Sequence, residues 1–171
     1  MAWYRCGGGS GGENMVQTVL QAYAANTSQD STVPRTSWDA HEETAEYFVY
    51  NSSTHKWTVQ KNFKATIALV VRNYKASSSA PVQAAFVDNT EVLRVTAESN
   101  ANGSFGGGSV VLNLTQGQEV YFGKPVNAGY EAPYCYVFDG DAQITEVGAF
   151  DIDNNYGGKT LFFALYKGWQ V

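Results

Sequence analysis

From Asn62 to Tyr74 the side chains alternate without a break. Phe63, Ala65, Ile67, Leu69 and Val71 point one way; Lys64, Thr66, Ala68, Val70 and Arg72 point the other. A period of two is that of a β-strand, and an amphipathic helix would place its apolar residues three and four apart. One dry face and one wetter face mark an antiparallel sheet packed on one side. A chain built around such a strand needs a second sheet to cover the dry face, which points to a β-sandwich.

The same period continues on both sides. Tyr47–Tyr50 and Trp57–Gln60 read as short strands before it. Val82–Val87 and Glu91–Thr96 flank Asp88-Asn89-Thr90 as a hairpin. Asn100 to Gly108 reads as a loop. The alternation of Val110, Leu112 and Leu114 follows, and Gln116-Gly117 turns the chain into Glu119–Phe122. Tyr134–Phe138, Gln143–Phe150 and Thr160–Tyr166 complete about nine strands with turn residues between them. No helical stretch interrupts residues 45–171, which excludes an alternating parallel α/β sheet. The expected fold class is all-β, a jelly-roll or β-sandwich with a short N-terminal arm and helix.

Three regions are expected. Residues 1–12 form an attachment tag, Met1 to Cys6, and a hinge, Gly-Gly-Gly-Ser-Gly-Gly, that can bury no side chain. Residues 13–44 form a short helix over Glu13–Ala25 and then a polar linker. Val16, Leu20 and Tyr23 fall on one helical face, and Asn14 stands at the capping position. Residues 45–171 form the jelly-roll domain.

Charged residues are 16% of the chain, against about 25% in ordinary soluble domains. The surface must therefore rely on hydroxyls and amides, a composition that suits an extracellular or virion surface. Formal charge is −5 and the Lys and Arg residues form no basic stripe, so no nucleic-acid partner is expected. No apolar run approaches the ~18 residues of a membrane helix, and Met1-Ala-Trp-Tyr-Arg-Cys has no apolar core of a secretory signal. Cys6 and Cys135 lie far apart. A bridge between them and two free thiols, with Cys135 as a small core residue, both remain open.

Residues that could carry chemistry are few. His41 falls in the linker and His55 in the turn Asn51–Lys56, both expected in solvent. Hydrolase, zinc and phosphate-loop motifs are absent, so no catalytic residue and no cofactor is assigned and no enzyme activity is expected. The loop from Asp151 to Asn155 begins as calcium loops do, but its sixth position is Tyr156 and its twelfth Phe162, so no metal site is expected. Trp57, Tyr130, Tyr156 and Trp169, at loops and strand ends, are the candidate ligand-binding aromatics. Thr160–Tyr166 and Tyr134–Phe138 are apolar on both faces. Phe162, Tyr166 and Val137 are therefore candidate oligomer contacts.

Two stretches carry a resemblance. Met1-Ala-Trp-Tyr-Arg-Cys-Gly-Gly-Gly resembles the opening of small structural proteins of Firmicutes phages and prophages. The body resembles C1q/TNF-like jelly rolls. The features are Phe63–Arg72, the hairpin Ala85–Val92, and Val111–Phe122 with Gln118 where that family has Asp. The C-terminal aromatic strand also fits, although it runs on to Trp169. The resemblance implies a homotrimeric, non-catalytic virion component, a fibre, spike or decoration protein. Trp3, Tyr4, Arg5 and Cys6 would attach it to other virion proteins. Its jelly roll would meet a host-surface glycan or protein, and assembly would occur in the bacterial cytoplasm. The alternatives are a lectin-like carbohydrate-binding module of a bacterium and, less well matched, a glycan hydrolase.

Overall fold

The computed structural model describes residues 17–24, 33–75, 79–99, 104–125, 130–140, 142–150 and 160–167. Among these there are twelve strands and no helix. In chain order they are β1 (Gln17–Tyr23), β2 (Ala40–Glu43), β3 (Phe48–Asn51), β4 (Lys56–Val59), β5 (Phe63–Lys75) and β6 (Val82–Val87). After these come β7 (Thr90–Thr96), β8 (Phe105–Leu114), β9 (Glu119–Gly123), β10 (Tyr130–Asp139), β11 (Ala142–Phe150) and β12 (Thr160–Lys167). One sheet has the order β2-β1-β10-β5-β8 and the other β3-β4-β9-β6-β7; among the described residues β11 and β12 form a two-stranded sheet of their own. Every pairing is antiparallel.

The chain crosses repeatedly between the two sheets, which is the path of a jelly roll. The core between them is closed by Leu20, Phe48, Trp57, Ile67, Leu69 and Phe122, all at 1% exposure or less. The alternation of β5 is realised as expected. Ala65, Ile67, Leu69 and Val71 enter the core. The β6–β7 hairpin turns at Asp88 and Asn89, with φ of 47° and 67°. These are the left-handed values a two-residue hairpin turn requires, and Asp and Asn tolerate them. At the β8–β9 turn Gly117 takes φ 89°. Gln118 braces that turn by accepting from Thr115 N (2.8 Å) and donating to Asp88 (2.9 Å).

The expected helix over 13–25 is not seen; Gln17–Tyr23 is a strand between β2 and β10. A bulge between Thr18 and Leu20 explains the misleading period. It lets the consecutive Val19 and Leu20 both bury at 1% exposure, so apolar spacings of three and four arise without a helix. A three-turn helix is marginal alone, whereas this segment gains pairing on both edges. The expected linker is also structured in part. Arg35 is fully buried and its N–H donates to Phe122 O (2.8 Å). Trp38 packs edge-on against Trp57 and Phe122. The boundary placed at residue 45 therefore falls inside the sandwich.

One further correction concerns β8. The expected loop at 100–108 yields to strand from Phe105, because Gly106 and Gly108 lie where β8 meets β7. A Cβ on Gly106 would stand 1.9 Å from Thr96 O.

Candidate functional site

The outer face of the first sheet carries an aromatic column along β10. Register sets its neighbours. Tyr134 lies between Tyr23 of β1 and Val70 of β5, Tyr136 between Gln21 and Ala68, and Phe138 between Thr18 and Thr66. Tyr23 and Tyr134 are near-parallel, with ring centroids 6.1 Å apart and planes 13° apart; Tyr136 and Phe138 are 5.9 Å and 19° apart. On the β5 side of the column Thr66, Ala68 and Val70 are fully buried. On the β1 side Tyr23 is 42% exposed. There Gln21, Ala22, Tyr23, Tyr134 and Tyr136 line a shallow depression of about 260 Å³.

The opposite outer face, on the second sheet, is closed over its own aromatics. Phe86 and Tyr121 stack at 5.1 Å and 7° and are 9% and 4% exposed. The Lys56 ammonium sits 4.9 Å from the Tyr121 ring, held by Glu119 at 2.6 Å.

Burial pushes the Tyr136 phenol up to about 12 from 10.0, helped by Tyr134 and Cys135 beside it. Burial also raises Tyr134, against the lowering effect of the Arg72 charge. The sign of the pH effect follows. Above pH 10 the unfolded chain loses the phenolic proton first, so it binds fewer protons than the folded chain and stability falls. The loss attributable to Tyr136 runs from pH 10 to about 12 and is absent below pH 10. Tyr136→Phe is expected to flatten this slope when urea midpoints are compared at pH 8, 10 and 11. An unchanged slope would show that Tyr136 is not desolvated.

The residues singled out in the sequence fall in different places. Trp57, expected at a ligand surface, is fully buried. Its ring packs on Tyr50 (4.7 Å) and Phe122 (5.6 Å), and its Nε1 donates to Glu43 (3.2 Å), which satisfies the one polar atom. Val137, expected at an oligomer contact, is also fully buried, because register sets it between Leu20 and Ile67 of the core. The phase of β10 is thus the reverse of the one expected. Cys135 and Val137 face inward, and the tyrosines face out. Phe162 and Tyr166 belong to β12, paired with Gly148 and Gln143. Tyr130 opens β10 opposite Lys75. Trp3, Tyr4, Arg5, Cys6, Tyr156 and Trp169, with the Asp151–Asn155 loop, lie outside the described residues. The Cys135 thiol is buried and accepts from Gln83 Nε2 at 3.9 Å.

The two histidines are not simply solvated. The His41 ring lies 4.2 Å from that of Tyr50, and its Nδ1 is 3.0 Å from Glu43. His55 Nδ1 shares a 3.0 Å hydrogen bond with Tyr50 Oη. Together with Trp57 they tie β2 to β3 along one side of the sandwich. Among the described residues no group of three or more His, Cys, Asp or Glu side chains is placed to hold a metal ion. No described helix is long and apolar enough to cross a membrane.

No protein-family model matches the chain. No curated protein matches it at a significant level. Among solved structures, the globular domain of zebrafish complement 1qA protein matches at TM-score 0.55. Identity is 12%, with 71% of this chain and 96% of that one covered. The shared fold is a jelly roll. The Eiger TNF of S. frugiperda follows at TM-score 0.49 and 9% identity, covering 75% of this chain and 97% of that one. The PRD1 vertex protein P5 matches at 0.45 and 9%, covering 74% and 99%. At these identities the likeness is one of fold. Within this jelly roll, the aromatic column was written in the sequence as alternation at 134–138. Both phases of that alternation are apolar, so only the pairing partners reveal which one faces outward.

Proposed function

We propose that the chain is a non-catalytic structural protein of a phage virion, a fibre, spike or decoration component. In this reading it self-associates as a homotrimer, is held to the particle by its N-terminal arm, and presents its jelly roll to a host-surface glycan. The observation that carries the binding role is the aromatic face of the first sheet. The column is open at its β1 edge, where Tyr23 is 42% exposed beside Tyr134, and an exposed aromatic edge on a sheet whose other side is a closed core is suited to contact. The virion assignment is supported by the Trp3-Tyr4-Arg5-Cys6 segment ahead of a glycine hinge, a pairing of anchor and tether.

Light scattering on the full chain at micromolar concentration is expected to give the mass of a trimer; a clean monomer would remove the self-association. Deleting residues 1–12 takes away no described core side chain. Stability is expected to change by less than ~1 kcal/mol while incorporation into particles drops sharply. If the truncated chain is incorporated as well as the intact one, the attachment role fails. Chelation by EDTA is expected to leave the melting temperature unchanged, and a drop of many degrees would reveal a structural cation.

A further inference from the structure

The depression over β1 and β10 differs from an ordinary apolar patch in its rim. Its floor is the aromatic strip of Tyr23 and Tyr134, whose rings stack with centroids 6.1 Å and planes 13° apart, with Tyr23 42% exposed. Beside that strip, Gln21 Nε2 donates to Glu42 Oε2 at 2.9 Å, an exposed amide–carboxylate pair. Asp39 enters β2 next to Tyr23, its N–H donating to Tyr23 O at 3.0 Å. Arg72 lies two residues along β5 from Val70, the partner of Tyr134, and its charge is felt at the Tyr134 phenol.

The combination of aromatic floor and mixed polar rim fits a ligand with one apolar face and several hydroxyls. A pyranose ring has that form. Its C–H face packs on a tyrosine ring, and its hydroxyls both donate to carboxylates and accept from amide and guanidinium N–H groups. Two carboxylates against one guanidinium disfavour an acidic sugar.

We propose that this depression is a subsite for one pyranose ring of a neutral glycan, with the exposed ring of Tyr23, backed by Tyr134, as the platform and Gln21 and Glu42 as the pair that reads its hydroxyls. The inference rests on the glycan-binding part of the reading above and gives it a location. Trp57, buried in the core, takes no part.

The test is calorimetric titration of the full chain with four neutral trisaccharides, chitotriose, maltotriose, mannotriose and galactotriose, and with sialyllactose. At least one neutral sugar is expected to bind with Kd on the order of 0.1 mM, and sialyllactose is not. Tyr23→Ala and Gln21→Ala should each weaken binding at least tenfold, Tyr23→Trp should retain it, and the mass by light scattering should stay the same in all three. Tyr23 is half exposed, so these variants are expected to fold. The proposal is overturned if none of the four neutral sugars binds, or if Tyr23→Ala binds as well as the parent. It is overturned too if Tyr23→Ala changes the oligomeric mass, which would make the depression a subunit contact. Any of these results leaves the arm-dependent incorporation standing, so the site can fail without the virion reading failing with it.

Discussion

Replacing Gly106 by Ala is expected to cost roughly 3 kcal/mol, far more than one methyl group on an edge strand normally does. A Cβ at this position would lie 1.9 Å from Thr96 O, 2.4 Å from Thr96 C and 2.8 Å from Ala97 N. All three are backbone atoms, so no rotamer change relieves the clash, and the end of β7 must move away from β8. For a chain of this length that loss lowers the melting temperature by about 10 °C. The neighbouring glycine is the control. A Cβ on Gly107 would meet Val70 Cγ2 at 3.3 Å, a side-chain methyl that can give way. Gly107→Ala should cost less than ~1 kcal/mol. Urea denaturation with equal m-values in the two variants measures the difference. Equal midpoints would mean that β7 and β8 do not approach as described.

Trp57→Ala is expected to be the most damaging single change, at about 3–5 kcal/mol. The indole is fully buried and packs against Tyr50, Phe122 and Trp38 with centroids 4.7, 5.6 and 6.0 Å away. Truncation leaves a cavity between the sheets that these rings fill only in part. It also removes the Nε1 donor to Glu43, which still has His41 at 3.0 Å. Trp57→Phe keeps a ring and loses that donor, so about 1–2 kcal/mol is expected. The comparison separates two roles for the residue. If Trp57→Ala denatures at the parent's urea concentration and instead loses a ligand, the indole is a binding platform. If stability collapses, it is core.

How far the sequence could be read depended on whether a segment's pattern had one interpretation. In β5 only one phase is continuously apolar, and the strand was legible down to its inward set, Ala65, Ile67, Leu69 and Val71. The Asp88-Asn89 turn was legible because few residue pairs accept two left-handed conformations in succession. β1 was misread because a bulge mimics helical spacing over a short segment. In the stretch before residue 45, polar residues hid two anchors, Arg35 and Trp38, whose partners stand some twenty to ninety positions away in the chain.

From the sequence alone came the class of fold, the long strand β5, the hairpin, and the absence of catalytic motifs. Those depend on local period and on residue chemistry, which any short window contains. Only the tertiary structure decided which face of β10 meets the core, why Gly106 must lack a side chain, that Trp57 is interior, and that Tyr23, Tyr134 and Tyr136 share one depression. Each is a consequence of strand pairing between distant segments. In a jelly roll, β1 lies against β10 and β8 against β5, so the neighbours that define a surface are separated by much of the chain. Alternation says that a strand has two faces, and register with its neighbours says which of them is buried.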